Sequence, residues 1–425
     1  MMGSLNLPTL LHRPAVPTSP TLPQRRIGAI DVVRGLLICL ITLGHSHILL
    51  NDSEFNQRLV LILSKITNLG TPAFTFISGM LLGYFEATAS DFRRIQQSYF
   101  KRALQLLLFA HLLIAAGTYP LRQESSFASA FLHYWYVTDT LAILFIVVPV
   151  LFVKVRPAGR LLIGIACLSL WKLALFFLIG FAPIAFAPTG FAPLLLVREF
   201  LFGVNFQGNH LLSDTYPMVP LFGLFLTATV LGNRFGQAVR GGRTEGFVKE
   251  LKKRIAPLLL LSFLMVGLWA WGKRHPESPL SGILRMVFYP EKLSALLPFY
   301  IAIFFLILAY YIQKIEVQGK FGPMERLFAL FGRISLFTYV AQYFVVQTFP
   351  SLLGWRNSMN LPELLLYLFG AMLLLYAAAS VYSRFLKRSR RTDETHAIRV
   401  ERSLSAKKVS PLYASDLPQP RRDLW

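Results

Sequence analysis

Long apolar stretches, each near the length that spans a bilayer, recur along this chain and are separated by polar intervals. Read by length and hydropathy, about ten stand out, near residues 30–50, 67–86, 102–119, 133–153, 160–181, 215–233, 256–272, 293–313, 327–349 and 362–385. A bilayer core leaves no water for unpaired backbone groups, so such runs predict an all-α, polytopic integral membrane protein. Three regions follow from the pattern. Residues 1–26 form a Pro-rich leader, 27–386 a transmembrane domain and 387–425 a basic tail. The leader holds Pro14, Pro17, Pro20 and Pro23 and no uninterrupted apolar core of signal length, so it reads as disordered and uncleaved. The tail opens with Lys387, Arg388, Arg390 and Arg391 and reads as a disordered cytoplasmic extension.

The polar intervals alternate in charge. Arg93, Arg94, Lys101 and Arg102 follow the second stretch. Lys154, Arg156 and Arg160 follow the fourth, and a run from Arg234 to Arg254 follows the sixth. The other intervals are poorer in charge and include Asp52 and Glu54. The positive-inside rule then places both termini in the cytoplasm. One outer connection, residues 182–214, repeats Phe-Ala-Pro. It either covers a site or packs as an interfacial helix.

Composition sharpens this picture. Hydrophobic residues make up 54% of the 425-residue chain and charged residues 15%, where a soluble protein carries about 25% charged. Mean hydropathy is +0.52. The net charge of +22 does not indicate nucleic acid, because the basic residues cluster between apolar runs and in the tail. Cys39 and Cys167, the two cysteines, both fall in apolar stretches, which excludes a disulfide framework and a zinc cluster. No HExxH, Cys/His ligand spacing or acidic calcium loop points to a metal. No glycine-rich phosphate loop points to ATP-driven transport.

Ionisable residues inside apolar stretches are costly and are functional candidates. Arg34 and His45 lie eleven positions apart on the first stretch. Eleven steps of about 100° return to nearly the same azimuth, and about 1.5 Å per residue sets them roughly 16 Å apart along one face. Asp31 lies on the same side. A guanidinium can hold a phosphate or carboxylate, and an imidazole can act as a base at neutral pH. A structural Asp31–Arg34 pair with a hydrogen-bonded histidine is the alternative for these three residues. His47 faces away from His45. Trp135 and Asp139, with His133, begin the fourth stretch from the outer side and are candidates for substrate recognition. For Trp135 the competing role is an aromatic belt. His210 and Asp214 end the external connection and could meet an outer substrate. Lys172 sits mid-stretch and must pair, face inward or snorkel.

The run IDVVRGLLICLITLGH resembles the opening of the membrane acyltransferase family 3 and its relatives, the periplasmic-glucan succinyltransferases and the heparan-alpha-glucosaminide N-acetyltransferase group. The pattern is Asp, two residues, Arg-Gly, apolar residues, then His, met here by Asp31, Arg34, Gly35 and His45. The stretches TPAFTFISGMLLGY, HYWYVTDTLAILFIVVPVL, YPMVPLFGLFLTATVLG and FGRISLFTYVAQ are similar to later family helices. Phe76, Ser78 and Gly79 fall at recurrent positions, and Gln342 stands where many relatives carry His. The resemblance covers roughly residues 27–385. It implies a multi-pass enzyme of the bacterial inner membrane. That enzyme would transfer an acyl group, acetyl or succinyl, from cytoplasmic acyl-CoA to a hydroxyl or amine of an extracytoplasmic glycan or glycolipid. His45 would be the base and Arg34 a donor contact, with Asp31 in the same catalytic set. Ser78, or a backbone N–H near an interruption at Pro72, would stabilise the oxyanion, although a Ser-Gly pair also serves close packing. Arg333 would meet a CoA phosphate, unless it only marks the cytoplasmic side. No resident cofactor is implied, and the oligomeric state stays open. A secondary transporter or flippase for a lipid-linked sugar or small anion is the competing class. No matched pair of broken segments supports it, and polar residues on one terminal helix suit a fixed site better.

Overall fold

The computed structural model describes residues 26–67, 69–119, 126–152, 155–169, 171, 201, 218–281 and 296–408. The side chains of Lys65, Ser129, Ala130, His133, Phe152 and residues 387–408 lie outside that description, as do Lys172, His210, Asp214 and the whole 182–214 connection apart from Leu201. The described chain is helical, with one parallel bridge between Leu50 and Met359. We label the helices α1 Gly28–His45, α2 Glu54–Thr67, α3 Gly70–Thr88, α4 Phe92–Thr118, α5 Phe127–His133, α6 Val137–Phe152 and α7 Pro157–Ser169. They continue as α8 Met218–Arg240, α9 Thr244–Arg274, α10 Leu297–Val317, α11 Pro323–Arg333, α12 Ser335–Leu352 and α13 Leu361–Lys408.

Among the described residues, each expected apolar stretch falls mainly on helix. Among the described residues six helices are long and apolar enough to cross a membrane: α1 with its following turn, α4, α8, α9, α10 and α13 as far as Leu386. Leu260 and Phe263 of α9 and Leu366 of α13 are strongly exposed, as expected of a surface solvated by lipid. The ninth expected stretch is not one straight helix. It is broken at Ile334 into α11 and α12, which meet at 85°. Ile334 has φ −116°, ψ 37°, outside helical values. Past the break the regular ladder resumes at once, and Ile334 O accepts both the N–H and the hydroxyl of Thr338, each at 3.1 Å. Pro72 lies in the first turn of α3, where a helix N–H has no i→i−4 partner to lose.

Two close crossings organise the bundle. A Cβ at Gly35 of α1 would lie 1.8 Å from the Phe328 carbonyl oxygen of α11, and one at Gly332 would lie 1.8 Å from the Asp31 carbonyl oxygen. The α3–α8 crossing repeats the device, with Gly83 against the Thr229 carbonyl and Gly232 against that of Met80. Dispersion between close backbones drives association where lipid removes the hydrophobic advantage. Around these crossings one apolar cluster joins α1, α3, α8 and α10, and another joins α4, α6, α8 and α12. The N-terminus of α1 is capped from α10, where Glu316 Oε1 accepts the Ala29 N–H at 3.1 Å.

One basic residue of the intervals is not a surface charge. Arg160 of α7 is 1% exposed and holds Glu86 of α3 through two bonds of 2.7 and 2.9 Å. Asn233 of α8 donates to the same carboxylate at 3.2 Å. Removing one partner of a buried pair strands the other charge. Glu86→Ala is therefore expected to destabilise the protein by about 3–5 kcal/mol, and adding Arg160→Met should recover part of that loss. Thermal unfolding of the purified variants in detergent measures both.

Candidate active site

The face of α1 that carries Asp31, Arg34 and His45 meets three different surroundings. Asp31 is buried and pairs with Arg26 at 2.6 Å and Arg333 at 3.7 Å, not with Arg34. Arg34 donates through Nη2 to Ser335 Oγ and lies over the Phe74 ring, 5.6 Å from its centroid. The Nε of Arg34 has no hydrogen-bond partner among the described residues. His45, the last residue of α1, lies against the buried Gln342 amide of α12. Nδ1 is 3.2 Å from Oε1 and 3.0 Å from Nε2, and the Tyr343 ring is 4.8 Å away. The break at Ile334 produces this arrangement. It ends α11 with Arg333 beside Asp31 and starts α12 with Ser335 beside Arg34.

A cavity of about 910 Å³ opens on that break. Arg34, Ser78 and Arg333 line it, together with Arg26, Tyr99 and Arg102. Phe74, Leu106, Leu141 and Phe145 supply apolar walls. Ile41 is the last α1 residue on the lining. His45 is one turn further along the same face and is not part of the lining, so the cavity runs from Arg34 toward His45 without reaching it. A volume near 900 Å³ with apolar walls and a few polar groups suits an extended organic ligand. Four guanidinium groups on the lining, two of them sharing Asp31, make it electropositive and favour an anion there. Two of the three π-helical turns among the described residues border the cavity, Gln105–Ala110 in α4 and Phe344–Thr348 in α12. Such bulges widen a helix locally and are common at functional sites.

The remaining expected residues divide. Ser78 lines the cavity, but its hydroxyl already donates to Phe74 O at 2.8 Å. Its neighbour Gly79 would place a Cβ 2.4 Å from the Phe225 carbonyl oxygen, so the Ser-Gly pair does serve close packing. Trp135 donates from Nε1 to Thr140 at 2.9 Å. Asp139 has no exposed surface, and its Oδ2 accepts the Tyr136 N–H at 2.8 Å. The same oxygen lies 2.8 Å from Nδ1 of His111, whose Nε2 lies 2.8 Å from Phe131 O. A carbonyl only accepts, so Nε2 of His111 carries a proton, and the pair shares the proton between Nδ1 and Oδ2. His111 escaped the sequence reading although it carried the relevant signal, an ionisable residue inside the apolar run LLLFAHLLIAAG. Arg26 and Arg102 were missed for another reason, because charge at a span end reads first as topology.

A family model described as an acyltransferase domain matches residues 27–380. The chain therefore belongs to the membrane acyltransferase family 3, and it is a multi-pass membrane acyltransferase. Comparison with curated proteins finds no match.

The buried His111–Asp139 pair makes a checkable demand. Asp139→Ala leaves the imidazole and the Tyr136 N–H without their acceptor and should cost about 3 kcal/mol. Asp139→Asn, which keeps an acceptor, should cost less. Unfolding midpoints of the two variants in one detergent test the order.

Proposed function

We propose that the protein transfers an acyl group, acetyl or succinyl, from cytoplasmic acyl-CoA to a hydroxyl or amine of an extracytoplasmic glycan or glycolipid. One observation carries this reading: an apolar-walled cavity of about 910 Å³ whose lining includes Arg26, Arg34, Arg102 and Arg333. A coenzyme A thioester has matching parts. Its phosphates are anionic acceptors for guanidinium donors, and its flexible arm suits apolar walls. Arg34 and Arg333 grip the anionic end, Asp31 holds Arg26 and Arg333 in place, and the thioester lies toward Ile41 and His45. The N- and C-termini are cytoplasmic in this reading, and the membrane is a bacterial inner membrane.

His45 is the general base. With Nδ1 protonated and donating to Gln342 Oε1, the basic lone pair belongs to Nε2. It takes the proton of the acceptor hydroxyl as oxygen attacks the thioester carbonyl. Gln342 thus positions the imidazole, which gives a role to the residue found where many relatives carry His. The acceptor approaches from the His45 end. Trp135 and Asp214 are the contacts we assign to it. Asp139, locked to His111, shapes that end of the site.

His45→Ala should abolish acylation while insertion and the unfolding midpoint stay near wild type. Acyl transfer at the wild-type rate in a folded His45→Ala protein would sink the assignment. Arg34→Ala removes a charge-assisted contact of about 1.5–3 kcal/mol, so calorimetry should find acyl-CoA binding weakened roughly 10- to 100-fold. Acceptor identity is open to mass spectrometry of surface glycans from cells with and without the protein.

A further inference from the structure

Thr138 begins the first turn of α6, one residue after its start, and is 3% exposed. Thr138 belongs to the cavity lining, and its buried Oγ1 has no hydrogen-bond partner among the described residues. Three other hydroxyls on the lining are engaged. Ser78 donates to Phe74 O, Ser335 accepts from Arg34, and Tyr339 meets the Tyr343 hydroxyl at 3.2 Å. A buried hydroxyl without a partner is costly, and a threonine kept in that state beside a cavity marks a place where a ligand atom completes the bond.

The surroundings say what kind of atom that is. The flanking residues Val137 and Leu141 are apolar and share one cluster with Ile41, Tyr339 and Tyr343, and the Tyr343 ring is the one packed on His45. Arg26, Arg34 and Arg333 belong to the other part of the lining, around Asp31 and Ser335. A neutral donor in apolar company suits a neutral acceptor better than a phosphate. The N-terminus of the sixteen-residue α6 adds the positive end of a helix dipole, which favours negative charge that develops there. The neighbouring Asp139 does not cancel this, because it is paired with His111.

We propose that Thr138 receives the acyl carbonyl oxygen of the donor thioester and stabilises the oxyanion formed on it. This rests on the acyl-transfer reading of the cavity. The acceptor oxygen, or nitrogen, forms a bond to the carbonyl carbon and gives its proton to His45. The carbonyl electron pair moves onto the oxygen held by the Thr138 hydroxyl. That pair then returns, the C–S bond breaks, and the coenzyme A thiolate leaves and takes up a proton. Thr138 is a hydrogen-bond donor throughout and loses no proton.

The test uses the full chain in lipid nanodiscs, with Thr138→Val and Thr138→Ser. Turnover is measured with acetyl-CoA or succinyl-CoA. Binding is measured for the thioester and for the thioether in which CH2 replaces the carbonyl. Loss of one oxyanion donor should lower kcat by about 10²-fold or more in Thr138→Val, with KM for the donor little changed. Wild type should bind the thioester several-fold better than the thioether, about the worth of one neutral hydrogen bond. Thr138→Val should lose that preference, and Thr138→Ser should keep both properties. Deleting an orphaned hydroxyl should not lower the unfolding midpoint. A folded Thr138→Val protein with wild-type kcat, or with the thioester preference intact, overturns the assignment. So does a Thr138→Val protein that fails to fold, since the hydroxyl would then be a partnered part of the structure. A wild-type protein that transfers acyl groups from neither CoA thioester, to any acceptor or to water, overturns the acyl-CoA reading itself and is distinguishable from all of these.

Discussion

A side chain larger than hydrogen at Gly35 or Gly332 would occupy the space of a carbonyl oxygen on the facing helix, so α1 and α11 cross where their backbones touch. With α11 pinned there, the chain breaks at Ile334 and leaves at 85° as α12. The break sets Arg333 beside Asp31 and Ser335 beside Arg34. It also directs α12 along the same face of α1, which brings Gln342 to His45. The cavity is the space that the two arms of the bend leave against α1, α3, α4 and α6. The polar partners of the first helix therefore depend on a steric contact between two residues that carry no functional group.

The electrostatics of the cavity follow from who shares whom. Asp31 serves Arg26 and Arg333 with one carboxylate oxygen, and Arg34 is held by a neutral hydroxyl and an aromatic face. Four cations gather on the lining without an equal number of anions. Positive charge at low dielectric is expensive, and a fold that keeps it is complementary to something negative. Under the acyl-CoA reading the excess serves binding at one end, while the neutral, apolar end toward Ile41 leaves the carbonyl and the base in a poorly hydrated setting where a single hydrogen bond counts for more. The π-helical turns contribute by displacing Gln105–Ala110 and Phe344–Thr348 from regular packing.

Much of the helical frame was legible in the chain, because a bilayer imposes both helix and length, and hydropathy reports length directly. The Arg34–His45 spacing correctly placed both residues on one face of α1, and Arg34, Ser78 and Arg333 do line one cavity. The partners of those residues were not legible. Nothing local to Asp31 says that it takes Arg333 and leaves Arg34 to another partner, since Arg333 is brought to it by a glycine crossing with a helix hundreds of residues later in sequence. The bend at Ile334 carries no proline and reads as continuous apolar helix. Arg160 shows why charge rules mislead inside a bundle. Its position at a span end is topological, yet its side chain is buried on Glu86. Thr138 was hidden by its commonness, since only burial without a partner distinguishes its hydroxyl from packing, and the partner of His111 lies on another helix.

The separation in sequence between the polar groups of α1 and their partners has a consequence in time. Ala29 is capped by a residue 287 positions later, His45 meets one 297 positions later, and Arg34 meets one 301 positions later. At a synthesis rate of about 5–20 residues per second, α1 waits roughly 15–60 s for the helices that satisfy it. During that interval the guanidinium of Arg34 and the imidazole of His45 sit on a nascent segment without Ser335 and Gln342, their partners in the finished fold. Helix α1 is thus made well before most of the described helices and is among the last completed, and its residence at the insertion machinery, or beside lipid headgroups, becomes part of how this protein is assembled.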